Sequence, residues 1–164
     1  MNNDPIFFLF TLPSAVAAAW LLWQGFKLAR RFSHFVRLRR AGIADIDRMN
    51  GGEFEVYLEI LFTRQGYRVE QLPLTGDYGA DLIIEKGGVR TAVQAKRYQG
   101  SVGVDAVQQI FAANAFYDTD GAMVVTNSHF TRQANRLADK IGVELWNRDR
   151  LLTEILKGAK NGKK

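Results

Sequence analysis

The chain has 164 residues, 47% of them hydrophobic and 24% charged, with a formal net charge of +5 and no cysteine. That length holds one domain of ordinary size plus some extra sequence. The lack of Cys excludes a disulfide framework, a Cys-based zinc site and a thiol nucleophile, and two His are too few for a His-rich metal site.

The charge is unevenly placed. Residues 27–48 carry +5 and residues 157–164 carry +4, whereas residues 49–156 hold 11 basic against 14 acidic side chains. Ahead of the first basic block, residues 5–26 contain no charge, and 16 of these 22 are hydrophobic. As a helix this run would measure about 33 Å, close to the ~30 Å hydrocarbon core of a bilayer. Trp20 and Trp23 stand near its C-terminal end, where indoles favour the interface. Residues 1–26 therefore read as a transmembrane segment. A cleaved signal peptide competes, with Ala15 to Ala19 as small residues for cleavage, but such peptides open on basic residues and this sequence opens Met-Asn-Asn-Asp. The positive charge after the apolar run places the main domain in the cytoplasm, on a single-pass anchor in the cell (inner) membrane. Residues 27–49 read as a basic juxtamembrane linker, helical over 27–40, which either lies on anionic headgroups or extends the membrane helix into solvent.

The main domain is expected at 50–156. Phe54, Tyr57, Leu58, Leu61 and Phe62 recur at i, i+3, i+4, i+7, i+8 and predict a helix over 53–65, with Gly66 at its C-terminal cap. Strands follow at 67–72, 80–85 and 89–96, the last two joined by a Gly87-Gly88 hairpin. A helix at 104–117, a buried strand at 121–126, a helix at 131–141 capped by Thr131, a strand at 143–146 and a helix at 150–156 complete the order. A hairpin-rich first half followed by β-α-β crossovers predicts an α/β fold, a three-layer mixed sheet with flanking helices on both faces. Residues 157–164 read as a basic tail, disordered from 158.

Three polar residues interrupt the strand pattern: Asp81, Gln94 and Lys96. Gln94 and Lys96 are two apart and share a face, and the hairpin brings Asp81 beside them. Charges at such half-buried positions need partners, and a divalent metal with a phosphate would supply them. The fitting chemistry is metal-assisted phosphodiester hydrolysis with Mg2+ or Mn2+. Asp81, the Gln94 amide oxygen and the Ala95 backbone carbonyl would be the oxygen ligands, with Lys96 on the phosphate or the attacking water. Glu55, one position off the apolar helix face, would reach the metal directly or through water.

Glu53-Phe54-Glu55, Gly66-Tyr67, Gly76-Asp77-Tyr78-Gly79-Ala80-Asp81 and Gln94-Ala95-Lys96-Arg97-Tyr98 resemble the Mrr-type restriction endonucleases of the PD-(D/E)xK nuclease superfamily. The resemblance runs on through Val-Val-Thr-Asn to Phe130-Thr131-Arg132-Gln133-Ala134, over about residues 50–156. It implies a restriction-endonuclease-like fold and magnesium-dependent cleavage of double-stranded DNA. Asp81, Gln94 and Lys96 would match the catalytic core and Glu55 the helix carboxylate. Gln94 is neutral where many superfamily members have an acid, which leaves one or two metals open. Asp77 is a second candidate carboxylate, though Gly-Asp-Tyr-Gly reads better as a turn. Arg97 is a candidate DNA contact, against a simply exposed strand-end arginine. Gln108 and Gln109 are candidates to approach the site from the next helix. Ser128-His129 reads as a loop. Two rival functions remain, a fold that binds nucleic acid without cutting it and a membrane scaffold. A homodimer would help to cut both strands.

Overall fold

The computed structural model describes residues 20–24, 43–73 and 78–161. The chain forms two compact units, Met1–Arg40 and Ala41–Lys164. In the first, residues 20–24 are helical and exposed. The rest of the expected membrane segment, the linker helix at 27–40, and Asp77 lie outside the described residues. No helix among the described residues is long and apolar enough to cross a membrane.

The second unit runs α1 (Ile43–Ile46), α2 (Gly51–Arg64), β1 (Arg68–Gln71), β2 (Leu82–Lys86), β3 (Val89–Lys96), α3 (Val104–Phe116), β4 (Gly121–Thr126), α4 (Arg132–Ile141), β5 (Val143–Trp146) and α5 (Arg148–Asn161). One five-stranded sheet has the order β1-β2-β3-β4-β5. β1, β2 and β3 pair antiparallel; β3, β4 and β5 pair parallel. The mixed sheet expected from hairpins followed by crossovers is thus present. Four features depart from expectation. α1 has no counterpart among the expected elements. α2 begins at Gly51 because Asn50 and Glu53 form a reciprocal capping box, worth about 1 kcal/mol. β2 begins at Leu82, one residue after Asp81. α5 starts two residues early and continues to Asn161, so residues 158–161 are helix and not a disordered tail. Glu154 ties Arg150 (3.2 Å) and Lys157 (2.8 Å) along that helix.

The sheet is covered on both sides. On one, Ile83, Ala92, Ala122 and Val124 pack with Ala106, Val107, Ile110 and Ala113 of α3 and Ala134 and Ala138 of α4. The alanines let both helices approach the strands closely. By alternation Leu82, Ile84 and Val93 face the other side, where α2 and α5 contribute the fully buried Phe54, Leu58, Phe62 and Leu151. The Phe62 and Trp146 rings, 5.3 Å apart, join α2 to β5. Each such large side chain stabilises the domain by about 1.5–3 kcal/mol when fully buried, so β3 is pinned from both faces and its C-terminal end is rigidly placed.

Candidate active site

That end of β3 carries the polar residues. Leu82 is opposite Val93, which puts Asp81 opposite Gln94 on the same face. Asp81 donates its N–H to Val93 O (2.9 Å) and accepts from Leu72 N (3.0 Å), so its backbone is still held between β1 and β3. Beyond it β2 ends, and Ala95 N donates to Asp81 Oδ2 at 2.6 Å instead of to a strand carbonyl. Both backbone groups of a strand residue project to the same side, so the Ala95 carbonyl also faces the Asp81 side. Gln94 is only 2% exposed. Its Nε2 donates to Gln109 Oε1 of α3 at 3.0 Å, whereas its Oε1 is buried with no partner among the described residues. Leaving a buried amide oxygen unpaired costs about 1–3 kcal/mol. Lys96 is half-buried. Its carbonyl accepts from Thr126 Oγ1 at 2.7 Å, and its ammonium makes no ion pair among the described residues.

The turn before Asp81 holds this arrangement against α3. Tyr78 stacks on Phe116 with ring centroids 3.8 Å apart. Gly79 has φ +94°, and a Cβ there would sit 2.8 Å from Gln109 Cβ and 3.3 Å from its backbone carbon. Only glycine lets the turn press so closely on the helix that orients Gln94. The partner from α3 is therefore Gln109, while Gln108 is exposed to solvent. Glu55 lies half-buried on α2, which packs on β1, β2 and β3.

Arg97, the next residue, is not a freely exposed strand-end arginine. It is half-buried and donates through Nη2 to the backbone carbonyl of Asp47. The Asp47 carboxylate takes a two-pronged contact from Arg148, Nη1 to Oδ1 at 2.7 Å and Nη2 to Oδ2 at 2.8 Å, and a third bond from Asn127 Nδ2 at 2.9 Å. The hydrogen bonds from Arg148, then those from Asn127 and the nearby charges, hold the Asp47 carboxyl below its ordinary value against the opposing effect of burial. The same pairing raises Arg148. Asn127 Oδ1 accepts from Tyr98 N at 2.7 Å, fixing the chain just after Lys96. These residues surround a cleft of about 410 Å³.

Among the described residues no group of three or more His, Asp or Glu could hold a metal. The Asp81 carboxylate, the Gln94 Oε1 and the Ala95 carbonyl are all hard oxygen donors, and the unpaired Gln94 Oε1 is a buried acceptor that a hard divalent cation would satisfy. The residues fit Mg2+ or Mn2+ on that count.

A restriction endonuclease family, Mrr_cat, matches residues 46–155. No curated protein matches. Among solved structures, the DNA modification-dependent restriction endonuclease AspBHI is similar in fold, at TM-score 0.59 and 23% identity over 75% of this chain and 36% of that one. A protein of unknown function, AF1548, is similar at TM-score 0.50 and 16% identity over 58% of this chain and 61% of that one. The chain thus spans under two thirds of either structure.

Proposed function

The chain belongs to the Mrr_cat restriction endonuclease family, and from that premise we propose that it is a metal-dependent endonuclease that cuts double-stranded DNA, held at a membrane by its N-terminal segment. The carrying observation is the end of β3. There Asp81 and Ala95 are tied at 2.6 Å, and the adjoining Gln94 keeps a buried side-chain oxygen with no partner among the described residues.

Asp81, Gln94 and the Ala95 carbonyl would hold Mg2+ or Mn2+, with Glu55 on the same ion directly or through water. Bound there, the cation would supply Lewis-acid stabilisation of the phosphate and a water of lowered pKa. Lys96 adds positive charge against the scissile phosphate or orients the attacking water. Water oxygen bonds to phosphorus, the bond from phosphorus to the leaving oxygen breaks, and that oxygen is protonated. Gln109 engages the Gln94 amide nitrogen at 3.0 Å and so leaves its oxygen for the cation. Cutting both strands calls for a second copy of the chain.

The test uses detergent-solubilised full-length protein on supercoiled plasmid. Nicking with Mg2+ is expected, none in EDTA. Asp81→Ala or Lys96→Ala should each lower the rate about 10³-fold or more, as removal of transition-state charge stabilisation does. Equal cleavage by wild type and both variants would sink the assignment. The net negative charge of residues 49–156 favours a second reading, binding without cleavage. Metal-independent duplex binding with no nicking would select it. For the anchor, full-length protein should resist alkaline extraction from membranes, and a version lacking residues 1–26 should not.

A further inference from the structure

The cleft around Asp47 has donors in excess. Arg97, Gln99, Asn127, Ser128, His129 and Arg148 line it, and Asp47 is its only acidic residue among those described. Arg148 offers the planar fork that fits carboxylate and phosphate alike, and Asp47 fills it. Arg97 uses Nη2 on the Asp47 carbonyl, yet its Nε–H is buried with no acceptor among the described residues. Asp47 and Arg148 are 39% and 34% exposed, so solvent reaches the pair and an incoming anion can exchange with it. The cleft, at about 410 Å³, is far larger than the one carboxylate it holds. Arg97 directly follows Lys96, so the same strand end presents one cation to the scissile position and another to this cleft.

We infer that the cleft seats a DNA backbone phosphate beside the one that is cut, and that Asp47 occupies the seat as an internal stand-in until DNA displaces it. The inference rests on the nuclease reading and adds to it the place where the duplex is gripped. It also answers the charge problem of a domain that is acidic overall. The local cluster that meets the backbone is cationic once Asp47 withdraws.

Full-length protein in EDTA is titrated against a fluorescent duplex oligonucleotide at several salt concentrations. Asp47→Asn keeps the side chain's shape and removes the competing charge, and duplex binding should tighten about fivefold, on the scale of one additional phosphate neutralised. Gln99→Glu and His129→Glu place a carboxylate on the exposed cleft wall. Each should weaken binding about tenfold and flatten the log–log salt dependence by about one. Arg68→Glu, at the hairpin end of the sheet, should bind as wild type does. Melting curves establish that each variant is folded, and the two wall variants decide the matter if Asp47→Asn is not.

Wild-type affinity in folded Asp47→Asn, or wall variants no weaker than Arg68→Glu, overturns the inference while Mg2+-dependent nicking by the wild type still stands. A wild type that neither binds nor nicks removes both readings. Loss of binding to anionic-lipid vesicles in the wall variants, with duplex binding unchanged, would reassign the phosphate to a headgroup and overturn the DNA seat.

Discussion

The two sites at the end of β3 are one residue apart in sequence and opposite in character. On the Asp81 side the polar atoms are not all satisfied: Gln94 keeps a buried acceptor without a partner, and Lys96 makes no ion pair among the described residues. On the Asp47 side the carboxylate is saturated by Arg148 and Asn127. A buried polar group left unpaired is costly, so the first arrangement is one that a ligand completes. In the second the chain supplies the anion itself, although Arg97 Nε is left without an acceptor among the described residues, and a ligand enters by exchange with Asp47. Alternation along a strand is enough to place two such different environments side by side. It also shows why summed charge is a poor guide: what matters is which atoms are satisfied and by whom.

The contrast predicts that disturbing the Asp81 side costs activity through geometry. The largest effect should come from Gly79→Ala. The new methyl would meet the backbone of Gln109 in a residue held at φ +94°. Overpacking and positive φ each cost about 1–3 kcal/mol. The melting midpoint should fall by roughly 10 °C in a domain of this size, and nicking should fall further than instability alone explains. An unchanged midpoint would mean that the turn does not press on α3. Next comes Gln109→Leu, which strips the acceptor from Gln94 Nε2 and lets the amide turn. Positioning partners of metal ligands are worth about 10–100-fold, so the nicking rate should drop by that factor, with a raised Mg2+ requirement. Gln109→Glu keeps an acceptor oxygen and should restore most of the rate. Equal loss in both variants would make Gln109 a packing residue only.

Much of this was legible in the sequence, for physical reasons that differ by element. β3, β4 and β5 begin and end where the alternation and the bounding glycines Gly88, Gly121 and Gly142 put them. Helix ends were less legible. Four residues at Ile43–Ile46 are too short for any periodicity to register, and Gly158 reads as a stop although the charged pairs around Glu154 carry α5 through it. Asp81, Gln94 and Lys96 stood out because a polar side chain in an apolar strand is conspicuous and a tight hairpin makes neighbours of residues 14 apart. The roles of Gln109, Asn127 and Arg148 did not, because their partners are set by tertiary packing. Asp47 and Arg148 are 101 positions apart, and each alone looks like an ordinary surface charge.

The smallest expected effect is on the saturated side, and its sign is fixed. The Asp47 carboxyl is held below its ordinary value chiefly by its bonds from Arg148. A carboxylate with a lowered folded-state pKa contributes its full stability above the unfolded value, about 3.9, and loses it as pH falls through the lowered one. The groups that face it are Arg148, Arg97 and Asn127, of which the two arginines stay charged throughout this range. Because both members of the pair are more than a third exposed, screening limits the contribution to about 1 kcal/mol or less. The difference in melting midpoint between wild type and Asp47→Asn should therefore be small and constant from about pH 5 to pH 8, then shrink below pH 4. A difference that persists at pH 3 would mean that it comes not from the Asp47 charge but from the hydrogen bonds of its carboxyl group, which outlast protonation. In that case the two sides of β3 would be more alike than their hydrogen bonds suggest, each holding a polar group for position and not for charge.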